Sequence, residues 1–98
     1  MRKLLWDNDA WSEYQEWQEN DRRVLKRINK LLNDTCRDPF DGIGKPEPLK
    51  ENLSGFWSRR INDEHRIVYI ADDDVIRIFS CKGHYNSIDI KKEDKDNK

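Results

Sequence analysis

Residues 56–82 decide the fold, and they read FWSRRINDEHRIVYIADDDVIRIFSCK. Three runs rich in β-branched and aromatic residues are separated by two short polar segments, and such runs favour β-strands. We predict strands over residues 56–62, 65–71 and 75–82. Because the separators are only a few residues long, these three strands are expected to form antiparallel hairpins.

Two amphipathic helices are predicted before these strands. The second lies between Asp21 and Pro39, and its apolar side chains recur at the spacing of one continuous helical stripe. That stripe consists of Val24, Leu25, Ile28, Leu31 and Leu32. The helix must end before Pro39, because the residue before a proline disfavours helical geometry. The first helix is predicted over residues 8–19, where four apolar side chains have helical spacing. Asn20 or Asp21 then interrupts it and can cap the second helix.

The remaining segments are a short strand and a long loop. Residues 3–6 form an apolar run that predicts a strand ahead of the helices. Residues 39–55 contain three prolines and three glycines, which indicates an ordered loop with special backbone geometry. Phe40, Leu49 and Leu53 are its expected apolar anchors.

The predicted order β-α-α-β-β-β describes an α+β domain. We expect two N-terminal helices to pack on one face of a curved antiparallel sheet, which leaves the opposite face open to a partner. Alternation along the strand puts Ser58 and Arg60 on one face, and Trp57 and Arg59 on the other. The alternation does not say which of the two faces meets solvent.

A chain of 98 residues with 35% hydrophobic residues and ten aromatics has the size and composition of one small folded domain. We predict a single domain over residues 1–85. Residues 86–98 are polar and highly charged, and we expect them to form a flexible tail.

Charge is segregated along the chain although the net charge is only -1. Residues 1–21 carry two basic and six acidic side chains, whereas residues 22–71 carry eleven basic and seven acidic ones. A near-neutral total therefore does not exclude a basic surface for a polyanion. Mixed charges are also the ordinary solvated surface of a small domain, so composition leaves both interpretations open.

The cysteine and histidine content favours neither a disulfide scaffold nor a metal site. Cys36 and Cys81 are the two cysteines, and with only His65 and His84 no metal-ligand spacing occurs. Buried, reduced thiols are expected, as in a cytosolic protein. The first nine residues are too charged for a secretory leader, and no apolar run approaches the roughly 20 residues of a membrane span. We therefore expect a cytoplasmic protein with no cofactor.

Four sequence strings carry a family resemblance: GKPEPLK at 44–50, NLSGFWSRRI at 52–61, EHRIVY at 64–69 and CKGHY at 81–85. In this order they resemble the motifs of the YoeB/Txe branch of the RelE/ParE toxin superfamily. The agreement extends into the N-terminal helices and so spans nearly all of residues 3–85. The chain departs from that family in running thirteen residues past Tyr85. It also has Gly83 where a larger aromatic is often found, which frees the backbone before His84.

The resemblance implies a toxin that enters the ribosomal A site and cuts mRNA there, with the RNA's own 2′-hydroxyl as nucleophile. It implies Glu47 as general base, His84 as general acid and Arg66 as phosphate clamp. Tyr85 completes the implied catalytic set. The substrate-binding cations are expected to be Lys50, Arg59 and Arg60.

The resemblance also implies partners. These are the ribosome with A-site mRNA, and a YefM/Phd-type antitoxin that wraps a disordered acidic segment around the toxin. A second copy of the chain is a further expected partner. Operator DNA would be bound only through the antitoxin.

General chemistry agrees with these roles without requiring them. A carboxylate can accept the 2′-hydroxyl proton, an imidazole can donate one to the leaving 5′ oxygen, and a guanidinium can bind two phosphate oxygens. Taken alone, Glu47 would be a solvated loop residue, His84 a surface histidine and Arg66 the partner of Glu64, Glu47 or Asp63. Two other functions remain open: a ParE-like toxin that inhibits a protein target by binding, and a ribosome- or RNA-binding regulator that has lost its chemistry.

Overall fold

A five-stranded sheet with two helices on one face makes up the fold in a computed structural model, which describes residues 1–84. The elements are β1 Lys3–Trp6, α1 Asn8–Asn20, α2 Arg22–Arg37, β2 Glu47–Pro48, a 3-10 turn Glu51–Leu53, β3 Trp57–Arg60, β4 Arg66–Ala71 and β5 Val75–Ser80. The predicted α+β class, both helices and four of the strands are confirmed. The predictions for Tyr85 and for the 86–98 tail lie outside the described residues.

The strands lie in the order β1-β5-β4-β3-β2. The pairs β3–β4 and β4–β5 are antiparallel, which confirms the two hairpins. The predicted antiparallel arrangement is wrong for β1, which pairs with β5 in the parallel direction. Parallel neighbours need a long crossover, and here both helices and three strands separate β1 from β5 in sequence.

The loop prediction over residues 39–55 missed two short elements. Glu47 and Pro48 form β2, which pairs antiparallel with β3 at the edge of the sheet. A proline can occupy this position because it has no backbone N–H to donate, and the outer side of an edge strand forms no hydrogen bonds to another strand. The other element is the 3-10 turn, which begins directly after Lys50. Both are too short to give a periodic signal in the sequence.

Helix α2 begins and ends where the sequence predicts. The Asp21 carboxylate accepts hydrogen bonds from the backbone N–H groups of Arg23 at 3.1 Å and Val24 at 3.3 Å, which caps the helix. The helix ends at Arg37, two residues before Pro39. Within residues 1–84, no helix is long and apolar enough to cross a membrane.

The main core lies between the helices and one sheet face. Ile28 and Leu31 of α2 are fully buried there, together with Ile67, Tyr69 and Ile78 of the sheet. Both cysteines are buried and free, as expected. At roughly 25 cal/mol per Å² of buried apolar surface, this layer supplies the dominant favourable term for so small a domain.

We call the sheet face opposite the helices the open face; it carries Ser58, Arg60, Arg66 and Val68. Part of it is covered by a second apolar cluster, in which Leu53 and Val68 are buried. Leu49, Phe56 and Phe79 pack against this pair. The 49–56 segment therefore covers the Val68 side of the open face, and the arginine end stays accessible, with Arg60 exposed and Arg66 half-buried.

Candidate active site

Strand register brings three of the predicted site residues to the open face. Glu47 of β2 pairs with Ser58, and Arg60 pairs with Arg66. Directly paired residues point to the same side of a sheet, and Ser58 and Arg60 share a side because they are two residues apart. Glu47, Arg60 and Arg66 therefore project from the same face. Strands β2 and β4 are two strand spacings apart, about 10 Å.

The segment that presents Glu47 has unusual backbone geometry. Lys45 and Glu51 have positive φ values of 51° and 57°, although neither is a glycine. Non-glycine residues in this region are uncommon and are concentrated at functional positions. Glu47 is exposed, and it lines a groove of about 360 Å³ with Lys50 and Leu53. Lys50 is exposed in the same groove, so the structure brings these two predicted residues together.

Backbone carbonyls, and not a carboxylate, hold the Arg66 guanidinium. Its Nη1 donates to the carbonyl oxygens of Asn62 at 2.6 Å and His65 at 3.1 Å. Within residues 1–84 Arg66 forms no ion pair, so the alternative in which it pairs with an acidic neighbour is wrong for this part of the chain. Its Nε and Nη2 donors have no protein acceptor there and are left for an anionic ligand.

His84 follows β5 in the sequence, and the chain just before it lies beside the start of β4. The Arg66 N–H donates to the Gly83 carbonyl at 3.0 Å, which brings the residue before His84 against the phosphate-clamp candidate. Gly83 has a φ of 79°, a backbone conformation that glycine adopts readily and other residues rarely adopt. His84 itself is half-buried.

Strand pairing thus places Glu47, Arg60 and Arg66 on the open face, and the hydrogen bond between Gly83 and Arg66 brings the backbone of His84 beside the start of β4. Carboxylate, imidazole and guanidinium groups can take part in proton transfer and in the binding of a phosphate. No group of three or more His, Cys, Asp and Glu side chains is arranged for a metal ion in the described chain.

Arg59 is a correction, because the structure places it in the interior and not in a substrate site. Its side chain is 0% exposed and lies on the face that packs against the helices. The guanidinium donates to the Asp34 carboxylate at 2.6 Å, the Tyr69 hydroxyl at 3.2 Å and the Ile43 carbonyl at 3.1 Å. The carbonyls of Asp38 and Asp41 accept from its Nη2. With its donors used in this way, Arg59 holds the loop after α2 and is not available to RNA.

Sequence reasoning overlooked Asp34, the partner of Arg59. The Arg37 and Arg59 guanidiniums and the Ile43 N–H all donate to its carboxylate, and they hold the pKa of Asp34 well below its usual range. One signal was present in the sequence. An acidic residue in the last turn of a helix opposes the helix dipole, so its occurrence there indicates a compensating cation.

Comparison with known proteins finds a family model, described as a YoeB-like toxin of bacterial type II toxin-antitoxin systems, that matches residues 6–85. Toxin YoeB of Escherichia coli K12 is 58% identical over 83 residues, which cover 85% of this chain and 99% of that protein. Toxin YoeB of Synechocystis is 60% identical over 84 residues, which cover 85% of this chain and 96% of the relative.

Solved structures agree with the sequence relatives. A YoeB/ParE toxin from Agrobacterium tumefaciens superposes with a TM-score of 0.81 at 44% identity, covering 85% of this chain and 99% of that one. A YoeB dimer from Staphylococcus aureus gives 0.80 at 48% identity, covering 86% and 98%. A heterotetrameric YoeB-YefM complex from the same organism gives 0.79 at 48% identity, covering 87% and 99%. From the family model, these relatives and the shared fold, it follows that the chain belongs to the YoeB-like toxins of bacterial type II toxin-antitoxin systems.

Proposed function

We propose that this chain is an endoribonuclease that cleaves mRNA in the A site of the ribosome and so inhibits translation in the bacterial cytoplasm. The observation that carries the proposal is that a carboxylate and two guanidiniums share the open face, and that the residue before the His84 imidazole is hydrogen-bonded to the backbone of Arg66. A toxin that acted only by binding a protein would have no need for an acid and a base beside a phosphate-binding cation.

Glu47, Arg66 and His84 divide the chemistry. The Glu47 carboxylate takes the proton of the RNA 2′-hydroxyl, and the 2′ oxygen forms a bond to the adjacent phosphorus. The bond from phosphorus to the 5′ oxygen breaks, and His84 gives its proton to that oxygen. The products are a 2′,3′-cyclic phosphate and a 5′-hydroxyl, so protons and bonds balance without a metal ion.

Arg66 stabilises the charge that develops on the phosphorane between these two steps. Its Nε and Nη2 are adjacent donors on a planar group, and such a fork binds two phosphate oxygens at once. The carbonyls of Asn62 and His65 hold Nη1, so the fork is oriented before RNA arrives. Orientation in advance makes electrostatic stabilisation effective, because no reorganisation occurs during reaction.

Lys50 and Arg60 are proposed to bind the RNA backbone on either side of the reacting phosphate. Both are exposed, and Arg60 is the direct cross-strand neighbour of Arg66. Tyr85 follows His84 in the sequence and is proposed to stack on a base, as aromatic side chains do with single-stranded RNA.

Dependence on the ribosome is proposed because the site is an exposed surface. Glu47, Lys50 and Arg60 all face solvent, and the groove that Glu47 and Lys50 line in the described part of the chain has a volume of only about 360 Å³. Aligning a 2′-hydroxyl with the 5′ oxygen supplies a large part of the rate in such reactions. The A site would provide that alignment by presenting a codon in a defined conformation.

Two further partners are proposed from the complexes that the Staphylococcus aureus relatives form. One is a YefM/Phd-type antitoxin, whose acidic segment would cover the cations of the open face and block the site. The other is a second copy of this chain. Operator DNA would be bound only through the antitoxin.

The test is to map the ends of a defined mRNA after incubation with the purified protein, with and without programmed ribosomes. Cuts inside the A-site codon should require ribosomes and should be lost in His84→Gln. A 2′-deoxy nucleotide placed immediately 5′ of the cut should block cleavage, because it removes the nucleophile. A phosphorothioate at the scissile phosphate should show no rescue by Mn²⁺ if no metal ion contacts that oxygen.

Each alternative predicts a different result. Cuts in free RNA would contradict dependence on the ribosome. Absence of cleavage, with growth arrest retained by His84→Gln in cells, would favour a toxin that acts by binding. Cleavage of the 2′-deoxy substrate would refute attack by the 2′-hydroxyl.

A further inference from the structure

The segment before His84 is held by hydrogen bonds with α1, with His65 and with the first residue of β4. Strand β5 ends at Ser80, and residues 81–83 continue without strand pairing. These residues pass between α1 and the turn that joins β3 to β4. We call residues 81–83 the His84 support, because its geometry sets where the following imidazole begins.

Helix α1 fixes the first half of the His84 support. The Glu13 carboxylate accepts hydrogen bonds from the Cys81 N–H at 2.9 Å and the Ser80 hydroxyl at 3.2 Å. The Trp17 indole N–H donates to the Cys81 carbonyl at 2.9 Å in a buried bond. Both polar groups of the Cys81 backbone are therefore bound by α1, which anchors this residue to the rigid part of the domain.

His65 and Arg66 fix the second half. The Gly83 N–H donates to Nδ1 of His65 at 2.8 Å, and the Gly83 carbonyl accepts from the Arg66 N–H at 3.0 Å. A backbone N–H can only donate, so Nδ1 of His65 is unprotonated and the ring proton is on Nε2. The His65 and Trp17 rings pack in a T-shaped arrangement, with 4.9 Å between ring centroids. This packing fixes the ring, and with it the direction of the acceptor.

We infer that His65 is a positioning residue: its Nδ1 holds the peptide before His84 at a fixed place relative to Arg66. The inference rests on the proposed function, in which His84 donates a proton and Arg66 binds the reacting phosphate. Because His65 precedes Arg66 and bonds to the residue before His84, one side chain links the two chemical groups. A glycine populates positive φ about as readily as negative φ, so hydrogen bonds and not backbone sterics hold Gly83 at its φ of 79°.

The expected kinetic consequence separates positioning from binding. Arg66, Lys50 and Arg60 remain when the His65 acceptor is lost, so KM for programmed ribosomes should change by less than about twofold. The acid would lose its alignment, and a displacement of about 1 Å can cost on the order of 100-fold in rate. We expect kcat to fall by about 10- to 100-fold.

Two substitutions separate the acceptor from the ring. His65→Phe keeps an aromatic ring against Trp17 but has no acceptor, whereas His65→Asn loses the ring but offers Oδ1 near the position of Nδ1. We expect a low kcat in His65→Phe and substantial recovery in His65→Asn. Asp63→Ala is the matched control, because Asp63 is an exposed acidic residue of the same turn. It should cleave at the wild-type rate.

Hydrogen exchange of the Gly83 amide gives a readout that needs no catalysis. The amide should be protected in wild type and in His65→Asn, and should exchange faster in His65→Phe while the remaining core amides stay protected. Thermal melts of all variants distinguish this local loosening from global unfolding.

The outcomes are distinct. A His65→Phe variant with wild-type kcat, or with unchanged Gly83 exchange, overturns the inference. Equal losses of kcat in His65→Phe and His65→Asn also overturn it, since the acceptor would then not be the cause. If wild type cleaves nothing on programmed ribosomes, the proposed function fails and the inference fails with it. If wild type cleaves and His84→Gln does not, failure in the His65 series refutes only the inference.

Discussion

Replacing Arg59 with methionine removes the cation around which the loop after α2 is folded. The buried guanidinium binds the Asp34 carboxylate, the Tyr69 hydroxyl and the carbonyls of three loop residues. Methionine fills a similar length but donates no hydrogen bond. The variant therefore leaves Asp34, whose side chain is only 16% exposed, without its interior partner.

The expected loss of stability follows from this burial. Removing one partner of a buried ion pair costs about 3–5 kcal/mol, because the other charge stays in a poorly solvated place. A domain of this size has about 5–15 kcal/mol in total. Each kcal/mol lowers Tm by about 4–8 °C in a domain of 60–100 residues, so we expect a fall of at least about 12 °C.

Urea unfolding followed by tryptophan fluorescence measures the change in the free energy of unfolding. Arg60→Met is the control, since it removes the same charged group from the next position of β3, where the side chain is exposed. It should change stability by less than about 0.5 kcal/mol. The double variant Asp34→Asn with Arg59→Met should recover part of the loss, because the carboxylate that lost its interior partner is gone. Equal unfolding midpoints for Arg59→Met and Arg60→Met would refute the reasoning.

Three further predictions concern the site and the titrating groups. Glu47→Gln should retain binding to programmed ribosomes but lose about 10²- to 10⁴-fold in single-turnover cleavage; undiminished cleavage would exclude Glu47 as the base. The lowered pKa of Asp34 means that its ionised form stabilises the fold above its ordinary pKa of about 3.9, and that this stability is lost as pH falls further. Acid titration of unfolding should therefore be shallower in Asp34→Asn than in wild type, and identical slopes would contradict the assignment. Burial, with Glu13 and Glu16 nearby, raises the pKa of Cys81 to about 12, so its thiol should resist Ellman's reagent at about pH 8 until urea is added. Rapid labelling of the folded protein would refute the burial of this thiol. The free energy of unfolding should also fall as pH rises above about 8.5, because the thiol then ionises only in the unfolded chain.

Local sequence signals predicted most of the elements correctly. The stripe of α2 has a period that only a helix satisfies, Asp21 supplies its cap and Pro39 limits its end. The three C-terminal strands were recognisable from β-branched runs with short polar separators. Such signals depend on residues only a few positions apart, so they can be recognised in the sequence without the tertiary structure.

The candidate site was predictable only in part. The motifs pointed to Glu47, Lys50, Arg60, Arg66 and His84. The structure places Glu47, Arg60 and Arg66 on the open face, with Lys50 in the groove beside Glu47 and the residue before His84 bonded to Arg66. The motifs did not separate Arg59 from Arg60, since two adjacent arginines look alike until a helix covers one of them. Strand alternation had already placed these two residues on opposite faces, but it could not identify the solvent-facing side.

The sequence by itself determined the α+β class, the two helices, the hairpins and the family motifs, because each depends on local periodicity or on short ordered strings. Only the tertiary structure decided that β1 pairs parallel with β5, that Arg59 is buried on Asp34, and that His65 supports the residue before His84. Those contacts join positions 72, 25 and 18 residues apart. Closing the chain between such distant positions costs entropy, and only the packing of the helices on the sheet offsets that cost.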